Sequence, residues 1–210
     1  MQQGFESTNV LCGRLIFIHD FWLRLQVMNR ASHSRWLLQI LGLTTHREFY
    51  SGLSMRFHLF DKIIQFDPGK SGVAIKNITL SEEFFIKHYD RNPLMPEPLI
   101  IEALAQTGGW TVAVTTQFRF VAILVRIDKA RFLKPVRPGD QLMLKTTILS
   151  INENGSLIEG TAEVNGEPVA HVERIMYGNS PVPDHLKDSI KTGYIYRSGG
   201  LLDREGNLIK

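Results

Sequence analysis

The chain has 210 residues, 43% of them hydrophobic and 21% charged, which is enough to bury a core in one domain with extensions and too apolar for a disordered protein. Its 24 basic and 21 acidic side chains leave a net charge of +3, too small and too scattered for a dedicated nucleic-acid binder. A single cysteine, Cys12, excludes an internal disulfide framework and a multi-cysteine metal site, which fits a reducing compartment and a cytoplasmic protein.

The composition changes near Met55. Residues 1–55 hold five arginines, no lysine and three acids, whereas the remainder balances 19 basic against 18 acidic side chains. Trp22 and Trp36 sit in this upstream part without helix or strand periodicity. Arg14, Asp20 and Arg24 interrupt its apolar run, so it lacks a secretory layout. Residues 1–54 are expected to be an atypical extension, disordered or joined on by a misplaced start; an Arg-rich, acid-poor transit peptide is the alternative. A domain is expected over 55–178, followed by a polar, loosely held tail over 179–210.

From Met55 the pattern becomes regular. Ser71 to Thr79 carries Val73, Ile75 and Ile78 after the turn signal Asp67-Pro68-Gly69 and reads as a strand. Ser81 with Glu82 and Glu83 predicts a short helical turn, and Pro93 and Pro96 stiffen the irregular stretch from His88 to Pro96. Pro98 stands where proline costs a helix least, and Leu99 to Thr115 continue that helix. It is apolar almost all round, so a sheet has to wrap it. Ala103 to Phe118 is free of charge yet carries Gln106, Gln117 and four threonines, so it is not a membrane span.

The sheet is expected downstream, in strands Phe118 to Asp128, Lys129 to Lys134, Gln141 to Ile151, Leu157 to Asn165 and Val169 to Tyr177. Asn154-Gly155 and Asn165-Gly166 mark antiparallel hairpins. One long central helix followed by an antiparallel meander is an α+β layout.

Two strongly polar side chains, Glu102 and Gln106, interrupt the apolar helix, and their i,i+4 spacing puts them on one face. Desolvation among Leu99, Ile100, Ile101 and Leu104 raises a carboxyl pKa and keeps the proton that a general acid needs. The plain alternative is a glutamate that only bonds Gln106 or faces a solvated cleft. His88, in the loop ahead of the helix, is of the type that serves as a base, although a lone loop histidine is more often a surface residue.

Phe84 to Pro96, with the run Lys87-His88-Tyr89-Asp90-Arg91-Asn92-Pro93, continued by Leu99-Ile100-Ile101-Glu102-Ala103-Leu104-Ala105-Gln106, resembles the active-site region of FabZ-type 3-hydroxyacyl-(acyl-carrier-protein) dehydratases. Ile127 to Phe132 and Pro135 to Leu142 resemble the second signature of that family, and the similarity runs from about Met55 to Tyr177. The resemblance implies a hotdog fold, a long central helix wrapped by a curved antiparallel sheet, in a homodimer or a trimer of dimers. It implies a lyase of fatty-acid or related acyl-chain biosynthesis that removes water from a (3R)-hydroxyacyl thioester on acyl carrier protein, giving the trans-2-enoyl thioester. His88 is then the base at C2, and Glu102, reaching in from the partner subunit, is the acid at the departing hydroxyl. Gln106 supports Glu102, the backbone N–H of Glu97 faces the thioester oxygen, and no metal or organic cofactor is needed. Leu94, Met95, Leu99 and Phe132 are the candidate walls of an acyl tunnel, and Lys87, Arg91, Lys129, Arg131, Lys134 and Arg137 the candidate surface for an acidic carrier protein.

The sequence departs from that family at two places. Glu97-Pro98 replaces a glycine and a small apolar residue, and Asp90 replaces a proline two residues after His88. Glu97 brings bulk and negative charge towards the developing oxyanion, and Pro98 is expected to hold Glu97 extended. A hotdog thioesterase and a non-catalytic acyl-thioester binding or partner subunit are the rival readings.

Overall fold

A computed structural model describes residues 58–86, 92–203 and 205–209. The extension expected over 1–54 lies outside the described residues. Six strands form one antiparallel sheet: β1 Lys62–Asp67, β2 Ser71–Asn77, β3 Phe120–Phe132, β4 Gln141–Ile151, β5 Gly155–Val164 and β6 Glu167–Pro181. Their spatial order is β1-β2-β4-β5-β6-β3. The helices are α1 Glu83–Ile86, α2 Glu97–Thr115 and α3 Lys187–Tyr196. Strands β2 to β6 all touch α2, so the sheet wraps the helix in the hotdog arrangement.

Helix α2 forms because nothing on it requires water except a few positions near its start. From Ile100 to Val114 every residue is buried except Ile101, Glu102 and Gln106. Leu104, Trp110 and Val112 on the helix, and Leu144, Ile158 and Ile175 on strands that touch it, are all at 2% exposure or less. Gly108 is required by close approach, since a Cβ there would lie 2.6 Å from the Tyr177 hydroxyl, which donates to the Ala105 carbonyl at 2.8 Å. The helix stops with Gln117 and Phe118 at φ 52 and 59, and the Phe118 N–H closes it on the Ala113 carbonyl at 2.8 Å.

The turns follow their chemistry. Gly69 and Gly139, at φ 75 and 98, occupy the third positions of Asp67-Pro68-Gly69-Lys70 and Arg137-Pro138-Gly139-Asp140, each closed by an N–H from the fourth residue to the first carbonyl. Asn165 and Gly166, at φ 53 and 81, make the tight turn from β5 to β6.

The expected elements need four corrections. The two strands expected over Phe118 to Lys134 are one, β3, which starts after the left-handed pair at 117–118. The expected break survives as Lys129 at φ 51 within that strand. Glu97 is not extended but opens α2, with Pro96 as the cap and Leu99 N–H on the Pro96 carbonyl at 2.9 Å. Pro98 loses nothing there because first-turn N–H groups have no intrahelical acceptor. Strand β1 was absent from the sequence reading, since an edge strand with Ile63 buried and Ile64 exposed offers only half of an alternating pattern. Lastly, the tail is not loosely held: Leu186, Ile190, Tyr194 and Leu202 are buried, and the Trp110 indole N–H donates to the Tyr194 carbonyl at 3.1 Å.

Candidate active site

The site is built on the first two turns of α2 and on the loop that leads into it. Met95 N–H bonds the Val136 carbonyl at 2.9 Å, and the Arg137 guanidinium bonds the Asn92 side-chain oxygen, so the 134–140 turn fixes where the helix begins. Glu102 then falls one turn inside, half-buried, with Ile100, Ala103 and Leu104 buried beside it. Burial pushes its carboxyl above the ordinary range, and the hydrogen bond from Gln106 offsets part of that rise.

The Gln106 side chain is held at both ends. Its Nε2 donates to Glu102 Oε1 at 2.9 Å, and its Oε1 accepts from the Leu59 N–H at 2.9 Å. A backbone N–H can only donate, so the amide oxygen must face Leu59 and the amide nitrogen must face Glu102. Glu102 Oε1 is thereby the accepting oxygen, which leaves Oε2 as the position for a proton when the carboxyl carries one. Tyr177, buried beneath the helix, is pushed well above its ordinary value by burial first and by the nearby Glu102 charge second. It remains a neutral donor to the Ala105 carbonyl, three residues along from Glu102.

The other expected residues divide. His88, Lys87 and Arg91 lie outside the described residues. Glu97 is exposed at the first position of α2, where a carboxylate suits the positive end of the helix dipole. Leu94, Leu99 and Phe132 are half-buried, whereas Met95 is 3% exposed. The surface cations are not equally available: Lys129 and Arg131 share Glu173 at 3.1 and 3.2 Å, and Lys134 pairs with Glu167. Arg137 has its bond to Asn92 instead of a carboxylate.

Sequence reasoning missed the Leu59 N–H and Tyr177 as partners of this helix. A backbone donor carries no residue-type signal, and Tyr177 read only as the end of a strand. Among the described residues no cluster of three His, Cys, Asp or Glu side chains is placed to hold a metal, and no helix is long and apolar enough to cross a membrane.

An antiparallel sheet wrapped on one long helix that carries a half-buried carboxyl defines a hotdog-fold protein. The chain belongs to the FabA-like domain family, whose model matches residues 53–173. It is 42% identical over 139 residues to the 3-hydroxyacyl-(acyl-carrier-protein) dehydratase FabZ of Syntrophotalea carbinolica, covering 65% of this chain and 90% of that protein. To the FabZ of Caldanaerobacter subterraneus subsp. tengcongensis it is 44% identical over 122 residues, 58% of this chain and 86% of that one. Among solved structures it is similar to the dehydratase heterocomplex ApeI:P from Xenorhabdus doucetiae, at 14% identity and a TM-score of 0.49 over 61% of this chain and 87% of that chain.

Proposed function

We propose that this chain is a hydro-lyase that converts (3R)-hydroxyacyl thioesters on acyl carrier protein to trans-2-enoyl thioesters in fatty-acid or related acyl-chain biosynthesis. The observation that carries this reading is Glu102, a half-buried carboxyl whose pKa desolvation raises and whose Oε1 accepts from Gln106, on an otherwise apolar helix. The FabZ relatives supply the substrate class.

In the proposed reaction the His88 imidazole takes the C2 proton, which the thioester carbonyl acidifies. The C2–H electron pair becomes the C2=C3 double bond, the C3–O bond breaks, and Glu102 delivers its Oε2 proton to the departing hydroxyl as water. The imidazolium and the carboxylate left behind are reset by proton exchange with solvent. The positive end of α2, with the Glu97 N–H first, suits the charge that develops on the thioester oxygen. Leu94, Leu99 and Phe132 supply apolar surface for the acyl chain. Arg137, the one of the four described cations not committed to a carboxylate, is the first to meet an acidic carrier.

The working unit is a homodimer, with a trimer of dimers as its larger form. Strand β3 supports this. Among the described residues it is a 13-residue edge strand of the sheet, carrying Val125 at 64% and Ile123 at 39% exposure, and such an edge pairs readily with a second copy of itself. The test is to give the full chain 3-hydroxyacyl thioesters of several lengths while following both the conjugated enoyl absorbance and free thiol. Enoyl formation without thiol is expected. Thiol release would instead mark a thioesterase, and binding without turnover a non-catalytic partner subunit.

A further inference from the structure

We infer that the C-terminal segment from Val182 to Asp203 is a positioning element for Glu102, acting from Arg197 through His58 and Leu59 to Gln106. The inference rests on the dehydratase reading above, and it concerns residues past position 173, where the family match ends.

The segment is anchored to the helix that carries the acid. Ile190 and Tyr194 are buried, the Tyr194 ring meets Phe118 edge-on at 5.9 Å, and the Tyr194 carbonyl accepts from the Trp110 indole at 3.1 Å. Glu102, Gln106 and Trp110 stand at i, i+4 and i+8, so this anchor lies two turns below the acid along one stripe of α2. Arg197, which caps α3, then reaches back to the chain on either side of the start of β1. Its Nη2 bonds His58 Nε2 at 2.8 Å, and its carbonyl accepts the Ile63 N–H at 3.0 Å. A guanidinium has only donors, so the imidazole nitrogen facing it is the unprotonated one.

These two bonds bracket Leu59, whose N–H holds the Gln106 oxygen and whose side chain is buried. The fit is close enough to demand glycine next door. Gly199 has φ +63, and a Cβ there would lie 2.7 Å from the Ile63 carbonyl oxygen. Leu59 therefore has little freedom to shift while Arg197 is in place, and the Gln106 amide stays turned so that its nitrogen serves Glu102. Release of Arg197 lets Leu59 move, loosens the hold on the Gln106 oxygen, and with it weakens the bond that aims Glu102.

The test is a double-mutant cycle in the full chain, with Arg197→Met, which keeps the alkyl stem, Gln106→Ala, and both together. Arg197→Met should lower kcat about five-fold, the rate equivalent of one ordinary hydrogen bond, with KM nearly unchanged. In the Gln106→Ala background it should have no further effect, and Arg197→Lys should restore part of the loss. A readout that needs no turnover is the carboxyl titration of Glu102 by carbon NMR, assigned by the signal lost in Glu102→Gln. Losing the Gln106 donor should move its midpoint upward, by the same amount in Arg197→Met, in Gln106→Ala and in the pair. His58→Phe should reproduce Arg197→Met and stands in for it if that variant does not fold. Additive losses in kcat, or a Glu102 titration unmoved in a folded Arg197→Met or His58→Phe chain, would overturn the inference. A chain that lacks dehydratase activity would still report the titration, so the functional reading and this one fail separately.

Discussion

The two halves of α2 share one helix and little else. In the first half Glu102 and Gln106 are half-buried polar side chains among apolar ones, and burial raises the pKa of the carboxyl. From Thr107 to Val114 the helix is wholly buried, fixed by the Trp110–Tyr194 bond and the Thr111 hydroxyl 3.3 Å from Thr146. The difference separates chemistry from stability along one element: the first half tolerates a costly ionisable group, and the second half supplies the packing that offsets its cost.

Substitutions at the two halves should therefore have opposite signatures. Trp110→Ala should destabilise the chain by about 3–5 kcal/mol, because it empties a fully buried site and removes the indole bond. Urea unfolding would show this as a lowered midpoint. An intact midpoint would mean that the buried half is not what holds the helix.

The open β3 edge sharpens the contrast from outside the helix. Val125→Lys should shift the chain from dimer towards monomer in sedimentation velocity, since a lysine in the middle of an edge strand opposes its self-pairing. If the acid reaches a partner's site, turnover should fall in step with the dimer fraction. Full activity in a proven monomer would place the whole site on one chain.

The pH dependence of stability carries a definite sign. The Glu102 carboxyl is raised in the folded state above its ordinary value of 4.5, so folding favours the protonated form. Its contribution is complete below that ordinary value and is lost as pH climbs through the raised one. Glu102→Gln should remove that loss, so the variant gains stability relative to the parent between acid and neutral pH in thermal melts. A difference independent of pH would mean that the carboxyl is not desolvated.

Smaller effects are expected at the rim. Glu97 is exposed, so Glu97→Gly should raise kcat only slightly by removing charge near the helix start, and Glu97→Gln should recover part of that gain. Equal rates in parent and both variants would mean that the carboxylate stays in water, out of reach of the thioester. The smallest effect belongs to residues 1–54: a chain beginning at Met55 should fold, dimerise and turn over like the full one.

The legible parts of the sequence were those with strong local chemistry. Strand β4 runs over Gln141–Ile151 as expected, because Arg137-Pro138-Gly139-Asp140 marks one end and Glu153-Asn154-Gly155-Ser156 the other. Glu102 with Gln106 stood out because polar residues on an apolar helix are conspicuous. Strand β1 and α3 were hidden for the converse reason. Each is a mostly exposed element tied down by a few side chains, such as Ile63 or Ile190 and Tyr194, whose burial depends on partners far along the chain. The Leu59 N–H was out of reach of any reading by residue type.

The most direct test is the rate at which full-length protein forms the conjugated enoyl thioester from a 3-hydroxyacyl carrier-protein substrate, compared with Glu102→Gln and His88→Ala at matched folded concentration. Each substitution should cost about 10²–10⁴-fold in kcat while the chain stays folded, as removal of one proton-transfer partner does. Turnover within a few-fold of the parent in folded Glu102→Gln would contradict the assignment of this carboxyl as the acid.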